Sequence, residues 1–265
     1  MKTKQTLTSP KTLFGIFAVC IILVVSFLSI TGRFDQKKST PTVETTEKKT
    51  EKVKKEAKEA AVAADLPNIS TSDWALVLVG PENKLTTEVN EENLVALSNG
   101  YEVDKRIADS YEKMSEAATK ANHPLVIISA FRSVAYQQTV FDQEVNVIMS
   151  RDGLDEEAAI AETKKTVTEP GYSEHHTGLA VDVVDESWYN NYPKEVLEEG
   201  FGKQPGAQWL AENAPEFGFI VRYPKGKEAI TKIDYEPWHL RYVGKESAKY
   251  ITENDLTLEE YLKLF

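Results

Sequence analysis

Three textures of hydrophobic and polar positions follow one another along the 265-residue chain. The first is an uncharged, almost wholly apolar run of 18 positions, residues 13–30. About 20 such residues cross the hydrocarbon of a bilayer as a helix, so the run predicts a transmembrane anchor, with residues 1–12 on its cytoplasmic side. Lys2, Lys4 and Lys11 precede it and Arg33, Lys37 and Lys38 follow, so flanking charge barely decides the orientation. A cleaved signal peptide is the alternative, but its apolar stretch usually runs for about 7–15 residues. Residues 31–65 are Lys, Glu, Thr and Ala with hardly a large apolar side chain. Such a segment buries too little surface to offset its ordering entropy and reads as a tether.

From residue 66 to residue 265 the pattern is that of a folded domain. Trp74–Val79 is an apolar run closed by Gly80-Pro81, which predicts a strand and a turn. Between Asp104 and Ala121, Ile107, Tyr111, Met114 and Ala118 recur at helical spacing and give one buried stripe. Pro124–Ile128 is a short apolar strand candidate, and Val134–Met149 and Asp155–Val167 read as helices. Leu179–Val184, Phe217–Tyr223 and Trp238–Val243 read as further strands. Thr257 followed by Glu260 fits a capping box opening a last short helix. Helices cluster early and strands late, so the expected fold class is α+β with a mostly antiparallel sheet.

Composition narrows the chemistry. The net charge of −11 argues against nucleic acid as a partner, because phosphate binding needs a basic face. The single cysteine, Cys20, cannot form an internal disulfide, and it excludes a metal site built from several thiolates. Any metal must use histidine and carboxylate.

The chain has four histidines, His123, His175, His176 and His239. In residues 171–182 a polar turn runs into a strand whose apolar sequence carries one carboxylate, Asp182. A lone buried carboxylate is expensive unless it is paired or holds a metal. A histidine seven residues earlier can curl back across the turn to share a cation with it. His239 enters a second strand, with Glu236 three residues before it. Two histidines and a carboxylate suffice for catalytic zinc with one position left for water, and a further Glu beside them is the base a hydrolase needs. Spacing alone leaves the plainer reading open: a buried Asp paired with a backbone group or a basic side chain, and histidines satisfied within the core.

Residues 173–182 match the pattern S-x-H-x-x-G-x-A-x-D, and Glu236-Pro237-Trp238-His239 matches E-x-W-H. Together they resemble the zinc D-alanyl-D-alanine carboxypeptidases of the VanY type, in a group with lysostaphin-like peptidases, D-Ala-D-Ala dipeptidases and hedgehog domains. Ser129–Ser133 with Gln137, Trp209–Ala214 with Phe217–Phe219, Arg222–Lys227 and His239–Gly244 are similar to further family segments, so the resemblance covers most of residues 70–250. It implies a hedgehog-like α+β fold with a zinc site at the sheet cleft. Zn2+ would be held by His175, Asp182 and His239, with His176 standing where the family often has Gln. The resemblance also implies Glu236 as catalytic base and Arg132 as binder of the substrate carboxylate or stabiliser of the oxyanion. Gln137 and Ser173 would be substrate contacts. Ala130, Phe131 and Lys232 depart from the Gly, Tyr and Gly expected at those positions.

The implied activity is D,D-carboxypeptidase release of D-alanine from peptidoglycan stem peptides. The implied setting is the cell membrane of a Gram-positive bacterium, with the N-terminal helix in the membrane and a monomeric catalytic domain outside the cytoplasm. The rivals are L,D-carboxypeptidase action on tetrapeptide stems, a dipeptidase or cross-bridge endopeptidase, and a non-catalytic zinc-containing wall-binding module. The presence of Glu236 and Arg132 argues against the last.

Overall fold

The computed structural model describes residues 66–265; the expected anchor, its cytoplasmic flank and the tether lie outside the described residues. Among the described residues no helix is long and apolar enough to cross a membrane.

A hairpin of β1 (Leu94–Ala96) and β2 (Glu102–Asp104) precedes a four-stranded sheet. That sheet contains β3 (Leu125–Ser129), β4 (Ala180–Asp185), β5 (Phe219–Tyr223) and β6 (Glu236–Tyr242) in the order β3-β4-β6-β5, with every pair antiparallel. The helices are α1 (Ala108–Lys120), α2 (Val134–Asp152), α3 (Glu156–Thr163), α4 (Glu186–Tyr189), α5 (Pro205–Asn213), α6 (Glu228–Thr231), α7 (Lys245–Glu253) and α8 (Leu258–Leu262). The fold class is therefore α+β, as the pattern predicts. Helices α5 to α8 nevertheless fall among and after the late strands, so the early-helix, late-strand order does not hold.

Both faces of the two central strands are covered, and the two faces carry different chemistry. Directly opposed residues of an antiparallel pair share a face. Val181 opposes Leu240, which opposes Val221, and these apolar residues pack with Ile127 and Phe219 against Tyr111 and Met114 of α1 and Leu210 of α5. The other face carries Ala180 opposite Arg241 and Asp182 opposite His239. There, Ile220 packs with Ala248 and Ile251 of α7 and Leu258 and Tyr261 of α8. The predicted stripe of Ile107, Tyr111, Met114 and Ala118 is buried throughout. The Thr257–Glu260 capping box opens α8, with both reciprocal hydrogen bonds formed.

One predicted element is absent. Trp74–Val79 is not a strand; Trp74–Leu76 is a single 3-10 turn started by Asp73, whose Oδ1 accepts from Ala75 N at 2.8 Å. The carbonyls of Ala75 and Val77 accept from Arg241 Nη2 at 2.9 and 2.7 Å. A buried guanidinium satisfies this backbone, so the segment forms no ladder with the sheet. The β1–β2 hairpin was not predicted, because its three-residue strands are too short to show a period.

Candidate active site

Two irregularities in the sheet aim the site residues. The β3–β4 register shifts between Ile127 and Ser129, beside Asp182. The β5–β6 register shifts between Val221 and Tyr223, where Tyr223 pairs with Glu236. Strict alternation would put Glu236 and His239 on opposite faces; the shift brings Glu236 Oε2 to 3.6 Å from His239 Nδ1.

The third donor arrives from the turn before β4. Glu174–Thr177 is a 3-10 turn whose N-cap, Ser173, accepts from His175 N at 3.3 Å. Gly178 closes it at φ 68°, where a Cβ would lie 2.8 Å from Asp104 N, so only glycine fits. His175 Nδ1 then donates to the Ala130 carbonyl at 2.7 Å, which turns Nε2 inward to 3.1 Å from Asp182 Oδ2. His239 Nδ1 lies 3.0 Å from Asp182 Oδ1. One donor atom from each of His175, Asp182 and His239 falls within 4.8 Å of the other two, and all three residues are buried.

His175 Nε2 and Asp182 Oδ1 lie close to Asp182 Oδ2 and His239 Nδ1, but neither makes a hydrogen bond of good geometry. Buried polar atoms are normally satisfied, and two such atoms converging with an imidazole nitrogen fit a shared cation. The electrostatics agree. Burial and the Asp182 charge push Glu236 up to about 8. Although burial opposes it, the Asp182 and Glu174 carboxylates raise His239 to about 9. Burial, with Arg132 nearby, takes His175 down to about 4. The His175 and His239 rings hold Asp182 well below the usual carboxylate range against its burial. Protons on His239 and Glu236 thus stand in for the positive charge that a dication would bring.

His176 is excluded as a ligand because both its nitrogens are engaged. Nε2 accepts from Gly171 N at 3.0 Å, and Nδ1 donates to the Arg132 carbonyl at 2.7 Å. Its work is to fix the backbone beneath Arg132. His123 lies apart from the ligands, 3.6 Å from Asp185 Oδ2.

The ligands and Glu236 line a cleft of about 510 Å³ together with Arg132, Gln137 and Ser173. Burial lowers the guanidinium pKa of Arg132 against the pull of Asp182 and Glu236, and its Nε has no partner in the protein. Gln137 is buried; its Nε2 donates to the Thr168 carbonyl at 2.8 Å while its Oε1 is unpartnered. Ser173 lines the cleft, and its Oγ accepts from His175 N in capping the turn. All seven residues singled out in the sequence therefore meet in one cleft. Sequence reasoning missed Glu174 and Tyr223. The Tyr223 ring centroid lies 4.8 Å from that of His239, with the rings tilted by 47°, and Glu174 contacts that ring's outer nitrogen.

With this geometry in hand, comparison with known proteins decides the family. The VanY D-alanyl-D-alanine carboxypeptidase profile matches residues 100–245. The chain belongs to the VanY family. The putative carboxypeptidase YodJ of Bacillus subtilis is 45% identical over 161 residues, 61% of this chain and 54% of that protein. The chain thus matches about half the length of that relative. Two solved structures resemble it over most of their own length. A zinc complex of a mutant vancomycin-resistance D,D-pentapeptidase VanY is 36% identical, with a TM-score of 0.62, covering 72% of this chain and 99% of that one. The LdcB LD-carboxypeptidase is also 36% identical, with a TM-score of 0.61, covering 75% and 93%.

Proposed function

We propose that this protein is a zinc-dependent carboxypeptidase that releases C-terminal D-alanine from peptidoglycan stem peptides, acting outside the cytoplasm from an N-terminal membrane anchor. The observation that carries the reading is the convergence of His175, Asp182 and His239 on one point, with Glu236 and Arg132 in the same cleft. Zinc fits the donor set of two imidazoles and one carboxylate and is the ion bound by the similar VanY structure. When bound, it would polarise the scissile carbonyl and acidify the attacking water.

The chain's own groups supply the rest. Glu236 is the base: its carboxylate takes a proton from the water as the oxygen attacks the carbonyl carbon. It then returns that proton to the departing amine as the C–N bond breaks, releasing free D-alanine. A carboxylate so placed can take up a proton and later return it. Arg132, half-buried with an unpaired Nε, would take the terminal carboxylate of the stem or the oxygen that gains charge. Gln137 Oε1 is a further acceptor for a peptide N–H. The anchor rests on residues 13–30, and the extracytoplasmic setting on where such stems are found.

L,D-carboxypeptidase action is the second reading, favoured by the comparable likeness to the LdcB structure. The zinc-loaded protein should be given a defined mixture of pentapeptide and tetrapeptide stems, and the products read by mass spectrometry. Loss of one D-alanine from the pentapeptide supports the D,D reading, and loss from the tetrapeptide alone supports the L,D reading. Intact stems with folded, metal-loaded protein would remove the enzyme assignment.

A further inference from the structure

The two ligand histidines are held from behind in different ways. His175 leans on a backbone carbonyl, that of Ala130. His239 Nε2 instead lies 3.3 Å from Oε2 of Glu174, a carboxylate with no solvent exposure at all. The other oxygen of Glu174 receives Arg222 Nε at 2.8 Å and Arg241 Nη1 at 2.6 Å. Both guanidinium groups are fully buried, and each is tied off elsewhere. Arg222 makes a two-pronged contact with Glu259 of α8, Nη1 to Oε2 at 2.9 Å and Nη2 to Oε1 at 2.6 Å. Arg241 reaches the Ala75, Val77 and Tyr242 carbonyls.

Stability alone does not explain this cluster. Well-packed apolar residues of similar volume commonly hold a fold as firmly as buried ion pairs, whose desolvation offsets most of their attraction. What apolar residues cannot do is accept a hydrogen bond from an imidazole. With Nε2–H pointed at Glu174, Nδ1 of His239 is the ring atom that faces Asp182 and the cation position. Two arginines fix the accepting carboxylate, one bound to α8 and the other to residues 75–77.

We propose that Glu174 is a positioning residue for His239. It accepts Nε2–H, selects the tautomer that leaves Nδ1 free for the metal, and is itself held rigid by Arg222 and Arg241. The role rests on the zinc reading above. An outer partner of a ligand histidine typically contributes about 10–100-fold to metal affinity.

The test uses full-length wild type and Glu174→Gln, which keeps the side chain's shape. Zn2+ affinity is measured against a chromophoric chelator, and the visible spectrum is recorded with Co2+ in place of zinc. The expected result is Zn2+ binding weakened about 10–100-fold in E174Q, with an altered Co2+ spectrum. A wild type that binds Zn2+, matched by E174Q in affinity and spectrum, overturns the positioning role alone. A wild type that binds no Zn2+ overturns the catalytic reading, and the proposal with it. A second measurement needs no variant: 15N-histidine NMR of the wild-type protein loaded with 113Cd. His239 should show a slowly exchanging Nε2–H and 113Cd coupling at Nδ1. A His239 with no proton on Nε2, or with one that exchanges freely with water, overturns the proposal.

Discussion

Asp182 and His239 oppose each other directly across β4 and β6, and Asp182 Oδ1 lies 3.0 Å from His239 Nδ1. Adjacent strands make this distance a property of the sheet and not of a flexible loop. The pair is therefore set by strand pairing, and the Asp182 carboxylate raises the His239 pKa.

Metal uptake should consequently expel protons. His239, raised to about 9, and Glu236, raised to about 8, both hold protons at neutral pH in the metal-free protein. A dication bound at Nδ1 requires neutral His239 and favours ionised Glu236. Calorimetric titration with Zn2+ at pH 7, in buffers of different ionisation enthalpy, should show about one to two protons released per ion. Apparent affinity should rise with pH between about 6 and 8. Binding enthalpy independent of the buffer would show that no such exchange occurs.

Replacing the base should separate binding from turnover. Glu236 approaches His239 at 3.6 Å but is not one of the three converging donors. Glu236→Gln should keep Zn2+ at near wild-type affinity and lose about 10²–10⁴-fold in kcat, the usual contribution of a positioned proton-transfer group. Steady-state kinetics beside metal analysis of the same sample checks it. Undiminished kcat would take the role away from Glu236.

How far the sequence disclosed the site depends on what each residue contrasts with. Asp182 is visible because a carboxylate interrupts an apolar strand, and the same contrast marks Arg222 in β5 and Arg241 in β6. Extending that one argument to the arginines would have shown that the domain buries cations and needs an anion for them. Glu174 gave no such signal, since it sits in a polar turn where a glutamate is expected to be solvated. Its burial comes from the 3-10 turn folding under the sheet, a tertiary event with no local period. The strand predicted at Trp74–Val79 failed for a related reason. Its carbonyls are claimed by Arg241, 164 and 166 residues away in sequence. The four main strands were legible as short apolar runs, and the stripe of α1 by its helical spacing, because both signals are written locally.

Lys232 is one of three non-glycine residues with positive φ among the described residues, at φ 63° and ψ 15° after α6. The family resemblance puts glycine at this position. Left-handed backbone costs an L-residue about 1–2 kcal/mol, and glycine returns part of that through the greater freedom of its unfolded chain. Lys232→Gly should therefore stabilise the domain by about 0.5–1 kcal/mol, read as a higher urea midpoint at unchanged slope. A lower midpoint would mean that the Lys232 Nζ contact with the Ala229 carbonyl, 2.8 Å, outweighs the strain.

The same protons give the metal-free domain a stability profile that zinc should reshape. His239 has a folded pKa of about 9 against an ordinary 6.5, so its contribution is complete below 6.5 and is lost as pH rises through about 9. Glu236, raised from 4.5 to about 8, acts in the same direction, losing its contribution as pH climbs through about 8. His175 has the opposite sign: lowered to about 4, it costs stability as pH falls from 6.5 towards 4. Between about 4.5 and 6.5 it offsets Glu236. Below about 4.5 the depressed Glu174 and Asp182 carboxyls add their own loss as they take up protons. The thermal midpoint of chelator-treated protein should thus be flat from about pH 4.5 to 6.5 and fall on both sides. Saturating Zn2+ should abolish the alkaline fall up to about pH 9, because the ion takes the place of both protons. A metal-free midpoint that keeps rising from pH 6.5 to 8.5 would contradict the placement of those protons on His239 and Glu236.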